Sequence, residues 1–278
     1  MKDCHPIRIP MESRQVQSRR FKQLAETENQ ENHPKVPYRE AIGSLLYLSG
    51  GTRPDISYAV NILSRCQSKP TIEDWEDVKK LFRYLKGTID LGLKYTGETN
   101  ELMAESDSSF SDWTDSTSTG GILISLYGDP IIWRSYKQAL VSQSVCKSEM
   151  RAMSDACREV VSIDKTLREI TGKTLFPVTL WCDNSAACNN TQMEGHHKRC
   201  DFDDDLENIY SSLKFREVNG VRKELLDTHG DYVKQLAKEG KIIVKWVKSE
   251  LNRADIFTKP LEYNSHRRFT CEILKLKH

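Results

Sequence analysis

The sequence predicts an α/β fold, a sheet with helices on its faces preceded by a small helical unit. Two observations carry this. The spacing of apolar residues is helical up to about residue 97, then breaks into short apolar runs separated by turns. From residue 98 the order reads three strands, helix, strand, helix, insertion, strand, helix, which packs most simply as a sheet covered by helices.

Residues 1–37 are polar, with prolines at 6, 10, 34 and 37, and read as a leader or linker that cannot bury a core by itself. Ile42, Leu45 and Leu46 recur at helical spacing, and Thr52-Arg-Pro-Asp55 is a turn in which Pro54 opens the next helix, with Ile56, Val60 and Leu63 on one face. After Pro70, Thr71 is the expected N-cap of a helix with Glu73 and Asp74 in its first turn. Trp75, Val78, Leu81, Phe82 and Leu85 line its apolar face, and it ends before Gly87. Residues 38–97 thus form a helical segment.

Leu102–Phe110, Gly120–Tyr127 and Pro130–Tyr136 read as strands linked by short turns, an antiparallel meander. A long helix runs from Ser148 to Ile170 and stops at Gly172. Val178 to Cys182 is a fourth strand, Asn184 to Thr191 a short helix, and Lys241 to Val247 a fifth strand. The segment from Ala254 to Leu261 closes the domain of residues 98–262, leaving 263–278 as a tail. The insertion at about 193–240 is charged and reads as mostly helical.

Hydrophobic residues make up 38% and charged residues 29% of the 278, which fits a polar-surfaced globular protein. No apolar run approaches the roughly 18 residues of a membrane helix, and the start MKDCHPIRIPMESRQ lacks a signal peptide's apolar stretch. An intracellular location, in cytoplasm or nucleus and without membrane partners, is expected. Forty-one basic residues balance 40 acidic ones, so net charge neither demands nor excludes nucleic acid. The eight cysteines form no C-x-x-C pair, and reduced thiols are expected. Cys182, Cys188, His196, His197 and Cys200 cluster in the sequence, but their spacings match no usual zinc finger, and buried or incidental cysteines are the simpler reading.

Four acids stand at informative places: Asp107 in mid-strand, Glu149 at the start of the long helix, Asp183 at the end of the fourth strand, and Asp255 opening the last helical segment. Carboxylates are costly in a sheet-and-helix core unless cations compensate them. Converged, these four would suit Mg²⁺ or Mn²⁺. Residue type alone does not single them out among 40 acids, since each could be a cap or a surface charge.

The ordered motifs do. Tyr38-Arg-Glu-Ala-Ile-Gly-Ser-Leu-Leu-Tyr-Leu48, Thr52-Arg-Pro-Asp-Ile-Ser-Tyr-Ala-Val60, Leu81-Phe-Arg-Tyr-Leu-Lys-Gly-Thr88, Ser106-Asp107, Ser118-Thr-Gly-Gly121, Ile132-Trp-Arg-Ser-Tyr-Lys-Gln138, Ser148-Glu149-Met150, Trp181-Cys-Asp-Asn184 and Asn252-Arg-Ala-Asp-Ile-Phe-Thr-Lys-Pro-Leu261 follow one another. Together they resemble the C-terminal part of copia-type (Ty1/copia) retrotransposon Pol polyproteins, from a thumb- or connection-like segment of the reverse transcriptase through ribonuclease H. The resemblance implies an RNase H-like five-stranded mixed sheet, with the first three strands a meander and the fourth and fifth parallel. It implies a metal site of Asp107, Glu149, Asp183 and Asp255 holding two Mg²⁺ or Mn²⁺ ions, with Asp107 bridging them and Ser148 beside the site. The activity implied is endonucleolytic hydrolysis of RNA in RNA–DNA hybrids, with the reverse transcriptase palm or other polyprotein parts as partners.

The chain departs from the family at Val145-Cys-Lys-Ser-Glu-Met150, where Lys147 replaces an upstream acid but the ligand position keeps its glutamate. The nearest histidine before Asp255 is His229, so the histidine that many cellular enzymes place there is expected to be missing. No Tyr-x-Asp-Asp polymerase motif occurs, and Asp203-Asp-Asp205 lies in the charged insertion, so polymerisation by this chain alone is not expected. A hybrid needs a basic, aromatic-bearing path. The candidates are Arg134, Tyr136, Lys137 and Gln138, with Lys198 and Arg199 in the insertion, against the plainer reading of a solvated face. Lys79, Lys80, Arg83 and Lys86 add charge in the helical segment, and Trp113 is expected to pack rather than stack. The competing reading is a silent or domesticated remnant that binds nucleic acid or protein.

Overall fold

The computed structural model describes residues 4–16, 35–113, 115–192, 215–218, 221–224 and 228–276. Three helices, α1 (Tyr38–Gly51), α2 (Ser57–Ser64) and α3 (Ile72–Gly87), come first. The sequence signals at α3 hold in detail. The Thr71 side chain accepts from the Asp74 amide while Asp74 reaches back to the Thr71 amide, a closed capping box. Tyr38, Ile42, Leu45, Ile56, Leu63, Val78 and Leu81 form the core of this unit. Met11 and Val16 of the leader are buried in the same cluster, and so is Trp113 from beyond the first strand. The leader cannot make a core alone, but it completes this one.

The sheet contains β1 (Leu102–Ser109), β2 (Thr119–Leu126), β3 (Asp129–Lys137), β4 (Val178–Cys182) and β7 (Ile242–Trp246), in the spatial order β3-β2-β1-β4-β7. The first three strands are antiparallel neighbours, and β1–β4 and β4–β7 are parallel. This is the mixed RNase H-like sheet that the resemblance implied. The long helix α4 (Val145–Thr171) is capped by Ser144, whose side chain accepts from the Lys147 amide, and it ends at Gly172 in the left-handed region. Ser148 lies inside the helix, and its hydroxyl donates to the Val145 carbonyl.

Helix α4, α5 (Ser185–Gln192) and α6 (Thr228–Lys238) bury one face of the sheet, with Ala104, Ile122, Ile124, Met153, Leu180 and Val233 at its centre. The other face carries Leu123 under Ala254, Phe257, Phe269 and Ile273. The last two belong to α7 (Tyr263–Leu274), so residues 263–278, read from sequence as a tail, contain a packed amphipathic helix. Each such side chain contributes on the order of 1.5–3 kcal/mol of burial.

The insertion also differs from its sequence reading. Beside α6, its described residues hold a two-stranded hairpin, β5 (Phe215–Val218) and β6 (Val221–Glu224), where mostly helix was expected. The sequence between those strands is Asn219-Gly220, a strong two-residue hairpin signal.

The helical unit and the sheet are joined directly. The Trp133 indole donates to the Ser49 carbonyl at 2.8 Å, and Asn61 donates to Ser135 at 2.8 Å, so β3 is covered by α1 and α2. No helix among the described residues is long and apolar enough to cross a membrane.

Candidate metal centre

Strands β1 and β4 lie side by side, yet the chain leaves them in opposite directions across the sheet, β1 toward β2 and β4 toward β7. In open α/β sheets such a reversal leaves a crevice at the carboxyl ends of the strands. Asp107 and Asp183 stand there at one level, because Ser106 registers with Cys182 and each aspartate is the next residue.

Asp255 is brought to them by a docking motif. The Asn252 side chain donates to the Ser106 carbonyl at 3.0 Å and accepts from the Ala254 amide. Arg253 donates to Glu105 through both its backbone amide, at 3.0 Å, and its guanidinium, at 2.8 Å. These bonds fix the 3-10 turn Arg253–Phe257 against β1. The turn comes so close to β2 that a Cβ on Gly121, the cross-strand partner of Asp107, would lie 2.7 Å from Thr258 and 3.0 Å from the Ala254 carbonyl. Glycine at 121 is what admits Asp255 to the site.

Glu149 enters from the second turn of α4. One carboxylate oxygen each of Asp107, Asp183 and Asp255 lie within 4.8 Å of one another, as do a carboxylate oxygen of Glu149, the Cys182 Sγ and a carboxylate oxygen of Asp183. The two groups share Asp183, so the four acids predicted from sequence meet in one place. Asp107 is 1% and Glu149 3% exposed, too little for bulk water to solvate their charge.

Their titration follows from that. Burial, and then repulsion from Asp107 and Asp183, push the Glu149 carboxyl well above its ordinary range. Burial raises Asp107, with Lys259 opposing and Asp183 adding to the shift. Asp255 is pushed up to about 7 by burial and by Asp107. The counter-charge comes from Lys259, whose Nζ lies 3.0 Å from Asp255 and 3.3 Å from Asp107. Burial lowers its pKa, but those two carboxylates outweigh that and raise it. The Thr258 hydroxyl donates to Asp107, Ser249 to Asp183 at 2.5 Å, and the Trp246 indole to the Asp183 carbonyl. Sequence reading missed Lys259, Thr258 and Ser249. Thr258 and Lys259 carried a signal, since both stand in the same motif as Asp255.

Among the described residues, one ammonium stands against four clustered carboxylates, which leaves uncompensated acid in a site of low polarity. Hard oxygen donors in that state fit a divalent cation such as Mg²⁺ or Mn²⁺, which would let them ionise together. His229 does not take part. It is buried against Ser154 of α4, and burial lowers its pKa to about 3.

The predicted nucleic-acid residues fare unevenly. Arg134 is exposed on β3 and paired with Glu159 at 2.7 Å. Lys137 is partly exposed and paired with Asp115. The Tyr136 hydroxyl donates to Asp155 at 2.6 Å and packs over Gly120, with only part of its ring reaching the surface. Gln138 corrects the sequence reading. It is 1% exposed, and its amide donates to the Ser148 carbonyl, so it braces the start of α4 and has no face for a phosphate. Lys198 and Arg199 lie outside the described residues.

Comparison with known proteins agrees with the motifs. The chain is 32% identical over 242 residues to the Retrovirus-related Pol polyprotein from transposon RE2 of Arabidopsis thaliana, covering 86% of this chain. It is 26% identical over 265 residues, 95% of the chain, to the corresponding polyprotein from transposon TNT 1-94 of Nicotiana tabacum. This chain is a homologue of copia-type retrotransposon Pol polyproteins. It spans 15% of the RE2 polyprotein and 18% of the TNT 1-94 one. The Secreted RxLR effector protein 161 of Plasmopara viticola is 37% identical over 139 residues, 49% of this copia-type homologue and 98% of that protein. No family model matches. Likeness to the N-terminal RNase H domain of rv2228c from Mycobacterium tuberculosis is slight. Its TM-score is 0.36 at 10% identity, over 62% of this chain and 96% of that one, and it adds nothing to what the strand order establishes.

Proposed function

We propose that this copia-type homologue is a divalent-metal-dependent ribonuclease H that hydrolyses the RNA strand of RNA–DNA hybrids endonucleolytically. Asp107, Glu149, Asp183 and Asp255 would hold two Mg²⁺ or Mn²⁺ ions, with Asp107 between them. Such an ion pair supplies a water nucleophile at neutral pH and stabilises the leaving oxygen of phosphodiester cleavage. The observation that carries the reading is the convergence of four acids from four separate elements at the β1/β4 crevice, with one ammonium among them. The protein's own part is positional. Asn252 and Arg253 hold the Asp255 turn on β1, Gly121 gives it room, and Ser249 and Thr258 orient Asp183 and Asp107. Arg134, Lys137 and the Tyr136 edge are the candidate contacts to the hybrid backbone. Each would exchange an intramolecular partner for phosphate, at a small net gain per contact. The reverse transcriptase palm and other polyprotein parts are the proposed protein partners.

One observation favours the silent binding-module reading. The Lys259 ammonium stands against two of the acids, where it competes with a metal ion. Cleavage of a labelled RNA–DNA hybrid separates the two readings. The nuclease reading expects Mg²⁺- or Mn²⁺-dependent cleavage by the wild type and a loss of about a hundredfold or more in Asp183→Asn. A folded wild type that binds the hybrid but never cuts it sinks the nuclease and leaves the binding module.

A further inference from the structure

The sequence cluster Cys182, Cys188, His196, His197 and Cys200 fits no zinc finger, but two of its members meet at the acid site. Cys182 is the last residue of β4, fully buried, and its thiol faces the Glu149 carboxylate at 3.9 Å between Sγ and Oε2. One donor atom each from Glu149, Cys182 and Asp183 lie within 4.8 Å of one another. The Cys188 thiol reaches the Cys182 carbonyl at 3.7 Å, which brings a second thiol close to the first. Independently, Ser106, in register with Cys182 on the adjacent strand and 0% exposed, has a hydroxyl with no hydrogen-bond partner among the described residues. A buried hydroxyl without a partner, one strand across from Cys182, is a hydrogen-bonding group left for a bound species to satisfy.

We propose that Glu149, Cys182 and Asp183 form a second, thiophilic metal site at the β1/β4 crevice, selective for Zn²⁺-like ions and overlapping the Mg²⁺ site. It rests on the proposed metal centre, with which it shares two carboxylates. Zinc binds sulfur at about 2.3 Å and carboxylate oxygen at about 2.1 Å, so a tetrahedral pair is separated by about 3.6 Å, near the sulfur–oxygen distance here. Mg²⁺ has no use for a thiolate, whereas zinc gains a soft ligand and releases the thiol proton on binding. Because Glu149 and Asp183 cannot serve both ions fully, zinc acts as a competitive inhibitor of Mg²⁺ loading. Among the described residues, the Cys188 thiol, which reaches the Cys182 carbonyl, offers a further soft donor.

The test is a Co²⁺ titration of the full chain, read by the thiolate-to-cobalt charge-transfer absorption, with Zn²⁺ displacing the cobalt. The expected result is a band in the wild type that is lost in Cys182→Ser, with Zn²⁺ affinity falling at least about tenfold. Asp255→Asn should keep the band, since that acid lies outside the soft site. Circular dichroism checks that Cys182→Ser folds, and Glu149→Gln, which keeps both thiols, should weaken zinc binding by a similar factor. No band in the folded wild type, or a band that survives Cys182→Ser unchanged, overturns the thiophilic site. If Mn²⁺ binding persists in that case, only this inference fails. If Mn²⁺ binding is absent too, the metal centre itself fails with it.

Discussion

Two of the places where this molecule buries charge do so in opposite ways. In the helical unit, Arg53 and Asp55 form an ion pair at 2.7 Å with both side chains almost wholly buried. Every neighbour completes the balance. The guanidinium also donates to the Thr88 carbonyl and hydroxyl, the Tyr84 hydroxyl donates to Asp55, and His266 of α7 meets the Asp55 carbonyl. At the end of β1 and β4, four carboxylates share one partly exposed lysine among the described residues. The first arrangement is closed and serves the fold, tying α3 and α7 to the turn between α1 and α2. The second is left in deficit, which a folding protein tolerates where a cation from outside is to complete it.

The sharpest way to break the comparison is to open the closed pair. Arg53→Ala strands Asp55 inside the helical unit and should cost about 3–5 kcal/mol in urea unfolding. A loss under about 1 kcal/mol would show that water reaches the pair and that it is not the balanced counterpart described here.

The acid site should respond to pH instead. A carboxyl whose folded pKa is raised holds its proton more tightly in the folded chain, so its stabilising contribution is present below the unfolded pKa. That contribution is lost as pH rises through the folded value. For Asp255 the window runs from about 4 to about 7, and Glu149 and Asp107 shift the same way. Metal-free protein should therefore lose on the order of a few kcal/mol between those limits, and Mn²⁺ should restore it at neutral pH. A flat profile without metal would mean that the deficit is already met within the chain.

The smallest effect belongs to the seam between the two regions. Trp133→Phe removes the bond from the indole to the Ser49 carbonyl and should cost about 1 kcal/mol of stability. It should leave any hybrid cleavage within about twofold, because the site is built on β1, β4 and the Asp255 turn.

What the sequence disclosed and what it hid divide along the same physical line. Strands β1 to β4, α4 and the Thr71 N-cap of α3 were legible because apolar periodicity and capping chemistry are local. The four acids were legible only as an ordered set of motifs, since each alone is an ordinary Asp or Glu. The roles of Asn252, Arg253 and Gly121 were not, because each acts on a residue more than 100 positions away, and Lys259, though it stands in the Asp255 motif, has its other partner, Asp107, equally distant. Gln138 was misread because its neighbours Arg134 and Lys137 are basic surface residues, and the pattern did not show that the strand turns inward after Lys137. The α7 helix was passed over because its three buried apolar residues, Phe269, Ile273 and Leu274, are spread among Arg, His and Thr, although Phe269 and Ile273 stand one turn apart. The hairpin in the insertion carried its own signal in Asn219-Gly220, outweighed in the reading by the surrounding charge.

The central claim is that the surplus carboxylates are a cation site, and counting bound Mn²⁺ by calorimetry at neutral pH tests it directly. The account predicts two ions per wild-type chain and at most one in Asp107→Asn, with the variant still folded. A folded wild type that takes up no Mn²⁺, or an Asp107→Asn variant that binds as the wild type does, would contradict it.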